Sequence, residues 1–586
     1  MASASKIIVD ELNGEGQLNF NAQLKLRGVP SSHGIAYAPS IIVQPEKIIE
    51  TEEKIEPNQI DSELARFQNA INNLVEEFQI ILDKIDEKSR NVAAVVETNV
   101  IILSDPFLIE SIENKIKECK SAEIAITEEF AGQIHMLRQA KDAILRERAQ
   151  ELDQIKVRLL GILHHSEINY TDAKDKIVVA QSLSPTDLVN YNEVGIKGYI
   201  TEVGGIASHT SILARTFGIP AVIGVKDATN IIAGDTPVVL DAYGGVIYSN
   251  PDEAIIKEYD EKKQEEEEHR RQLGELADQK SETLDGREIH LNANADFRHQ
   301  AEAALMAGAE GIGLLRSENL ILKLRHFPNE EEQLKWYESI AQQMYPKPVT
   351  IRAFDVGTDK YQVGSPQHES NPALGFRGIR FLLRRRDIFM TQIRAILRAS
   401  KHKNIKFLLP MVSMHNELIS SRKIIERCKQ QLKAEKHDFD PNMPVGIMIE
   451  TPAAALQSDF LAKYCDFFSI GTNDLTQYVL AVDRTNELVS EMYEAFNPAV
   501  LHLIKTVVDA ARNNNIPVSV CGELAGHSAA TGLLVGMGVN ELSVVPSLIL
   551  ELKKKIRENT YEEAIKIADD VLALSNFKEI KKYLSI

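Results

Sequence analysis

The sequence predicts a multidomain α/β protein, with a C-terminal (β/α)8 barrel and an N-terminal α/β domain that carries an inserted helical bundle. Eight strand-like runs alternate with amphipathic helical stretches between residues 284 and 586, which is the pattern of a (β/α)8 barrel. From Ile60 to about His165 glycine and proline nearly vanish, and apolar residues recur at helical spacing. Short strand-like runs flank that segment on both sides, so we interpret it as an insertion into one α/β domain.

The composition bounds the functions that the chain can have. A chain of 586 residues is too long for one hydrophobic core, so we expect several domains. Its 85 acidic residues outnumber its 66 lysines and arginines, and the net charge of −19 argues against non-specific binding to nucleic acid or membranes. The four cysteines form no CxxC pair, which argues against a disulfide framework or a zinc site. With no secretory signal and no apolar run of membrane-spanning length, we expect a cytoplasmic protein.

The predicted parts follow one another along the chain. They are an N-terminal tail (1–26), the α/β domain (27–57 and 166–250), the helical subdomain (58–165), a linker helix (251–283) and the barrel (284–586). Within the helical subdomain, SDPFLIESI predicts a helix start with Ser104 as its cap and Pro106 in its first turn. Residues 252–279 are highly charged and free of proline, which is typical of an exposed helix.

The strand predictions rest on short apolar runs bounded by turn residues. In the α/β domain these runs cover residues 24–43, 176–183, 198–201, 220–225, 237–242 and 245–251. In the barrel they cover residues 288–294, 311–318, 349–355, 405–412, 445–451, 466–474, 517–523 and 541–546. A doubly wound open sheet is the competing fold for the second set, but such a sheet does not usually have eight strands.

Polar side chains stand at the ends of the predicted barrel strands, where barrels of this kind carry their active sites. They are Asn294, Arg316, Glu318, Arg352, Asp355, Glu450, Asn473, Asp474, Cys521 and Glu523, with Arg484 one short loop further on. Arginines suit the capture of phosphate and carboxylate groups, and paired carboxylates suit Mg²⁺. Singly, each residue has a simpler explanation, because rim charges often pair with one another and a free cysteine is usually a buried core residue. Together they predict a small, doubly anionic, metal-bridged substrate.

The segment GGIASHTSILARTFGIPAVIG, residues 204–224, predicts a short helix that Ser208 or a neighbour caps and Gly218 ends. His209 lies in its first turn, where the helix dipole disfavours the imidazolium ion and keeps the ring neutral and nucleophilic. The backbone N–H groups of that turn would also favour a phosphoryl group on the ring. A histidine held by a local hydrogen bond explains the stretch equally well, so both interpretations stay open at this point.

Several segments resemble the phosphoenolpyruvate-utilising enzyme family. Residues 204–224 resemble the phosphohistidine signature of that family, and FSIGTNDLTQYVLAVDR (468–484) closely resembles its second signature. GIGLLRSE (311–318), GIMIETPAAA (446–455) and VCGELAG (520–526) extend the resemblance over nearly the whole chain from about residue 27.

The resemblance implies a phosphotransferase in which His209 accepts the phosphoryl group of phosphoenolpyruvate and passes it to a histidine of the carrier protein HPr, with release of pyruvate. This would be the first step of the sugar phosphotransferase system. The resemblance also implies Mg²⁺ bound by Glu450 and Asp474, and Cys521 as the proton donor to the enolate carbon. The residues that it implies for phosphoenolpyruvate binding are Arg316, Arg352, Asn473, Asp474, Arg484 and Lys360. A swivelling phosphohistidine domain, an HPr-docking helical subdomain and a homodimer through the barrel complete the implied arrangement.

Some positions depart from the family pattern. Ile206 and Ala207 stand where Arg-Thr is usual, which removes a phosphate contact from the histidine loop. Thr358 replaces a common glycine, and Ser317 replaces a threonine. None of these departures removes a group that is assigned to the chemistry, and the effect of Ile206 and Ala207 on the charge of the histidine loop stays open.

Three alternatives stay open to test. A pyruvate-phosphate dikinase or phosphoenolpyruvate synthase needs a nucleotide-binding domain before His209, and the segment there carries no Gly-rich phosphate loop. A regulatory paralogue of the nitrogen branch would carry a sensory domain that the N-terminal tail is too short to form. A non-catalytic regulatory protein would be expected to lack at least one functional residue, whereas His209, Glu450, Asp474, Arg484 and Cys521 are all present.

Overall fold

The fold is known from a computed structural model. It describes residues 23–43, 54–84, 90–138, 143–163, 170–205, 208–324, 326–357, 369, 371–484, 486 and 488–586. Residues 1–22 of the predicted tail lie outside these ranges. The chain forms two compact units, Met1–Glu267 and Glu268–Ile586. Within the described ranges, no helix combines the length and the apolar character that a membrane span requires.

The first unit contains an eight-stranded sheet whose strands lie within the predicted runs. They are β1 (Leu24–Arg27), β2 (Val29–Ser32), β3 (Ile35–Val43), β4 (Ile177–Ala180), β5 (Gly198–Thr201), β6 (Ala221–Ile223), β7 (Pro237–Asp241) and β8 (Val246–Ser249). Their spatial order is β1-β8-β7-β3-β4-β5-β6-β2. The strands from β3 to β6 are parallel neighbours, and the remaining pairs are antiparallel. β4 and β5 are buried along their whole length, as expected for parallel strands covered on both faces.

In the described ranges between β3 and β4 the chain forms five α-helices, so it leaves the sheet after β3 and returns as its parallel neighbour. They are α1 (Ile60–Lys84), α2 (Arg90–Leu103), α3 (Pro106–Lys117), α4 (Ala122–Arg138) and α5 (Ala143–Leu163). Phe67 and Phe130 of these helices are fully buried and share one core with Val178 of β4. The predicted inserted bundle is therefore packed against the sheet that it interrupts.

One predicted helix cap is wrong. The N-cap of α3 is Asp105, whose carboxylate accepts a hydrogen bond from the N–H of Phe107 at 2.9 Å, while Pro106 lies in the first turn as predicted. The N–H of Ser104 donates to the carbonyl of Val100 at 3.0 Å. The backbone of Ser104 therefore closes α2, and only the next residue is free to start the following helix.

The remaining helices of the first unit include the predicted histidine helix. They are α6 (Pro185–Val194), α7 (His209–Phe217) and α8 (Ala228–Ile231), followed by α9 (Glu253–Gly274), which begins in the first unit and ends in the second. Ser208 is the N-cap of α7, and its hydroxyl accepts the N–H of Ser211 at 3.3 Å. Gly218 ends the helix with a φ of +67°, a conformation that glycine adopts without strain. Both predicted ends of this helix are confirmed, and α9 lies within the predicted linker.

The second unit is a closed barrel of eight parallel strands. They are β9 (His290–Ala295), β10 (Ile312–Arg316), β11 (Val349–Arg352), β12 (Ile405–Leu409), β13 (Val445–Ile449), β14 (Phe468–Ile470), β15 (Val518–Val520) and β16 (Glu541–Val544). They pair in chain order, and β16 closes the barrel against β9. The predicted (β/α)8 fold is confirmed.

Helices surround the barrel. They are α10 (Arg298–Met306), α11 (Glu318–Leu324), α12 (Glu330–Met344), α13 (Ile379–Arg384), α14 (Arg386–Ala399), α15 (His415–Ala434), α16 (Pro452–Leu456), α17 (Ser458–Leu461), α18 (Thr472–Leu480), α19 (Pro498–Asn513), α20 (Ser528–Met537), α21 (Ile549–Arg557), α22 (Tyr561–Leu572) and α23 (Phe577–Tyr583). Several strands end earlier than predicted. β14 stops at Ile470, because the polar residues that follow form the first turn of α18.

Strand alternation separates two cores in the second unit. Side chains such as Ile447 and Ile449 of β13 face outward into the large core under the helices. Met448 between them faces inward, where it belongs to a small apolar cluster with Leu314, Leu408, Phe467 and Cys521. This inner cluster fills the middle of the barrel, as layers of side chains do in folds of this kind. It forms an apolar floor under the residues at the strand ends.

Candidate active site

The polar residues predicted at the strand ends lie at the C-terminal end of the barrel. Arg316 and Arg352 are the last residues of β10 and β11, whereas Glu450 and Cys521 directly follow β13 and β15. Asn473 and Asp474 lie in the first turn of α18. Arg484 follows that helix, and its main-chain N–H donates to the side chain of Gln477 at 3.3 Å. Lys360 lies outside the described residues.

The carboxylates of Asp355, Glu450 and Asp474 lie close enough together to act on one another's charge. Glu450 is only 1% exposed, and its Oε1 accepts the N–H of Met411 at 2.5 Å. Burial and the neighbouring charges of Asp474 and Asp355 raise the pKa of Glu450 to about 8. Such a concentration of negative charge in a buried place is what a bound cation would relieve. Carboxylate oxygens are also the ligands that divalent cations such as Mg²⁺ prefer, so the donor set fits a divalent metal.

Two arginines lie among these carboxylates. The guanidinium of Arg352 contacts Glu318 and lies 3.5 Å (Nη1 to Oδ2) from Asp355. That of Arg377 contacts Asp355 at 2.6 Å and Asp474 at 3.6 Å. Burial disfavours the charged form of both, but the acids outweigh it, so the pKa of each arginine is raised. Both side chains therefore stay positive at the place where an anionic ligand would enter.

Within the described part of the chain, two buried polar atoms in the pair of Arg352 and Glu318 lack a hydrogen-bond partner. Nε of Arg352 and Oε2 of Glu318 are buried and have no hydrogen-bond partner among the described residues. Buried polar atoms are nearly always paired, so this part of the site is suited to a polar ligand.

Sequence reasoning missed Arg377, because it follows no strand. The available signal was the Arg377-Gly378 pair within GFRGIR. Gly378 has a φ of +57°, and a Cβ there would lie 2.8 Å from the side chain of Met411 and 3.1 Å from Oδ1 of Asp355. Glycine at this position therefore lets the loop come close enough for Arg377 to contact its acidic partners.

The rim of the barrel carries arginines that are held more loosely. The side chains of Arg316 and Arg484 are each 41% exposed, and their nearest acids are Asp296 at 3.4 Å and Glu523 at 3.9 Å. Asn473 fixes the Glu523 loop, because its Oδ1 accepts the N–H of Glu523 at 2.8 Å. Its Nδ2 donates to the Glu523 carboxylate at 2.9 Å. These rim guanidinium groups can turn towards an anion with little loss of existing contacts.

Cys521 belongs to the apolar floor and directly follows β15. It is 3% exposed, and its Sγ accepts a hydrogen bond from the hydroxyl of Ser469 at 3.2 Å. The carbonyl of Ile470 lies 3.6 Å from the sulfur. Burial raises the pKa of the thiol, so the group holds its proton at neutral pH. It is chemically suited to give up that proton to an adjacent carbanion-like centre.

His209 lies in the other unit, as the first residue of α7. Hydroxyl groups hold described residues on either side of it: Ser211 donates to the carbonyl of Gly205 at 2.7 Å and accepts from Ser31 at 2.7 Å. Thr210 donates to the carbonyl of Leu183 at 3.0 Å. The backbone that carries the histidine is therefore held on both sides of the helix start.

Comparison with known proteins places these observations in a family. The models for phosphoenolpyruvate-utilising enzymes match residues 27–148 (N-terminal domain), 172–245 (mobile domain) and 270–561 (phosphoenolpyruvate-binding domain). The phosphoenolpyruvate-protein phosphotransferase of Bacillus sp. (strain S) is 35% identical over 531 residues, 90% of this chain and 92% of its own. That of Haemophilus influenzae is 37% identical over 537 residues, 91% of this chain and 93% of its own. A solution NMR structure of an Enzyme I protein covers 41% of this chain and 99% of its own, with 32% identity and a TM-score of 0.36.

Proposed function

Because this chain belongs to the phosphoenolpyruvate-utilising enzyme family, we propose that it is a phosphoenolpyruvate-protein phosphotransferase. In this proposal His209 takes the phosphoryl group of phosphoenolpyruvate and passes it to a histidine of the carrier HPr, as the first step of the sugar phosphotransferase system. The observation that carries the proposal is the cluster of buried acids and arginines at the barrel mouth. The arginines suit a small anion, and the acids suit a divalent cation that binds with it.

The family generally needs a divalent metal, and we propose Mg²⁺ held by Glu450 and Asp474. When bound, such an ion polarises substrate oxygens and offsets their negative charge. Arg316, Arg352, Asn473, Asp474 and Arg484 would bind phosphoenolpyruvate, with assistance from Lys360. The guanidinium of Arg352 supports this assignment, because the neighbouring acids raise its pKa and keep it charged. A guanidinium group can donate two parallel hydrogen bonds, which suits phosphate and carboxylate groups.

Two side chains would carry the covalent and proton steps. The imidazole of His209 would attack phosphorus, since the start of α7 favours a neutral ring and then an anionic phosphoryl group. The enolate left behind would take its third methyl proton from the thiol of Cys521, which yields pyruvate. The buried, protonated state of this thiol supports the second role.

For the carrier, we propose the surface of α2, α3 and α4 as the docking site. Phe107, Met136 and Ile101 are 82%, 69% and 62% exposed there. A cavity of about 310 Å³ lies beside Phe107, and its lining combines Leu108 and Leu137 with the acids Asp105 and Glu129. An apolar anchor site with acidic borders suits a carrier with a basic, partly apolar face.

We also propose the five-part division of the chain stated above, a cytoplasmic location and a homodimer through the barrel. Met414, Leu456 and Phe460 support the dimer, because they are 64%, 72% and 44% exposed on the second unit. Single exposed apolar residues are ordinary, but the ring of Phe460 also packs on His415 at 4.9 Å, which joins it to the segment that carries Met414. An apolar surface of this kind is covered in many oligomers.

The function is tested by incubating the protein with radiolabelled phosphoenolpyruvate and Mg²⁺, and then with purified HPr. Acid-labile label should appear on the protein and move to the carrier, and chelation of the metal should prevent it. His209→Ala should abolish labelling but leave phosphoenolpyruvate binding intact. Cys521→Ala should slow pyruvate formation far more than it weakens substrate binding. Label that persists in His209→Ala, or a wild type that never labels, would refute the proposal and favour a non-catalytic regulatory protein.

A further inference from the structure

Ser469 lies inside the barrel beneath the candidate active site. On β14, Phe468 and Ile470 face the outer core, so by alternation Ser469 faces the barrel axis. Ser519 of the neighbouring strand β15 pairs directly with Ser469, and Cys521, which directly follows β15, belongs to the cluster inside the barrel. The hydroxyl of Ser469 donates to the sulfur of Cys521 at 3.2 Å, and both residues are almost completely buried.

The buried hydroxyl of Ser469 needs an acceptor, but the sulfur does not need this hydrogen bond while it carries its proton. A buried cysteine behaves as a small apolar residue and needs no donor. The apolar side chains that cluster with the thiol inside the barrel are Leu314, Leu408, Met448 and Phe467. The charges of Glu450, Arg352 and Arg316 also act on the thiol. Among the described residues, the hydroxyl of Ser469 is the one side-chain group that donates a hydrogen bond to this sulfur. The hydroxyl of Ser469 therefore supplies the sulfur with a hydrogen-bond donor that the sulfur needs only as a thiolate.

We propose that Ser469 is a positioning residue for proton delivery, which orients the Cys521 thiol and stabilises the thiolate that remains after its proton has left. The inference rests on the proposed role of Cys521. In that step the S–H bond breaks, a C–H bond forms at the methylene carbon of the enolate, and the enolate oxygen becomes the ketone oxygen of pyruvate. The sulfur keeps the electron pair until water returns a proton to it.

The energetic reason lies in the surroundings of the sulfur. A thiolate in an apolar cluster is costly, because charge is poorly solvated there. Burial raises the pKa of the Cys521 thiol, and the hydrogen bond from Ser469 acts in the opposite direction. Loss of the hydroxyl should slow proton transfer in both directions. It should leave anion binding unchanged, because among the described residues the hydroxyl of Ser469 bonds to the thiol and the arginines that would bind the anion have other partners.

The test uses the full-length protein and three variants. Ser469→Ala removes the donor, Ser469→Thr retains it, and Ser519→Ala is the matched control, since its hydroxyl donates to the carbonyl of Phe468 at 3.4 Å and not to the thiol. Each protein is incubated with Mg²⁺, phosphoenolpyruvate and pyruvate in D₂O, and deuterium entry into the methyl group of pyruvate is followed by NMR. Labelling from radiolabelled phosphoenolpyruvate and the melting temperature are measured in parallel.

We expect Ser469→Ala to exchange methyl protons roughly tenfold to a hundredfold more slowly, as expected for the loss of a hydrogen bond to a charged group. Its KM for phosphoenolpyruvate and its final labelling should stay within about twofold of wild type. Ser469→Thr and Ser519→Ala should exchange at nearly the wild-type rate.

Equal exchange in Ser469→Ala and Ser519→Ala would overturn the inference, as would slow exchange in a normally folded Ser469→Thr protein. Slow exchange in Ser469→Thr would overturn the inference even if Ser469→Ala does not fold. Cys521→Ala separates this inference from the proposed function. If Cys521→Ala abolishes exchange while Ser469→Ala does not slow it, only the role of Ser469 is wrong. If Cys521→Ala exchanges normally, the assigned proton donor itself is wrong.

Discussion

Replacement of Phe107 by alanine tests the proposed carrier surface, because this side chain contributes little to the fold. It is 82% exposed, and a phenylalanine presents about 200 Å² of surface, so about 160 Å² is free to be covered. If the carrier buries half of that area, the lost contact at about 25 cal/mol per Å² is worth about 2 kcal/mol. We therefore expect Phe107→Ala to raise the KM for HPr roughly thirtyfold.

The assay is phosphotransfer from labelled protein to purified HPr at several carrier concentrations. Labelling from phosphoenolpyruvate and the melting temperature should not change, because the phenyl ring contributes little to the core. Met306→Ala is the matched control: this residue is 78% exposed but lies on α10 of the barrel unit, so the KM for HPr should stay at its wild-type value. An unchanged KM in Phe107→Ala, or an equal rise in the control, would refute the location of the docking site.

Three further perturbations test other parts of the structure. A Cβ at position 446 would lie 2.5 Å from the ring of Phe467, so Gly446→Ala should lower the free energy of unfolding in urea by about 1–3 kcal/mol. Arg377→Met leaves its two acidic partners unbalanced near the anion site and should raise the KM for phosphoenolpyruvate at least about tenfold in steady-state kinetics. The carboxylate of Glu310 accepts from His290 at 2.6 Å, and that hydrogen bond raises the pKa of the histidine. The pair therefore stabilises the fold below the unfolded pKa of histidine and ceases to do so as pH rises through the folded pKa. Glu310→Gln should accordingly lower the melting temperature more at pH 6 than at pH 9, and an equal loss at both would contradict the charged pair.

The features that could be predicted from the sequence are local or repeated. The start and end of α7 rest on Ser208 and Gly218, each of which acts within a few residues of its own position. The eight barrel strands rest on a repeated pattern that does not depend on any one residue. The error at Ser104 also has a local cause, since both Ser104 and Asp105 are good caps and the end of α2 decides between them.

The features that could not be predicted depend on contacts across the barrel. Arg377 reaches the site through contacts with Asp355, which precedes it in the connection after β11, and with Asp474, which follows β14. The contact between Ser469 and Cys521 depends on the register of β14 against β15, in which Ser469 faces Ser519. A one-residue slip would turn these side chains to opposite faces. Strand register is a long-range property, so the sequence pattern identified Cys521 but not its donor.

The most direct test of the central claim is mass spectrometry, at neutral to alkaline pH, of the protein after exposure to phosphoenolpyruvate and Mg²⁺. Trypsin should release residues 198–215, a peptide whose single histidine is His209. The account predicts that this peptide gains the mass of one phosphoryl group, that fragmentation assigns it to the histidine, and that HPr or acid removes it. A folded, metal-supplied protein in which the phosphoryl group lies on another residue, or on none, would contradict the account.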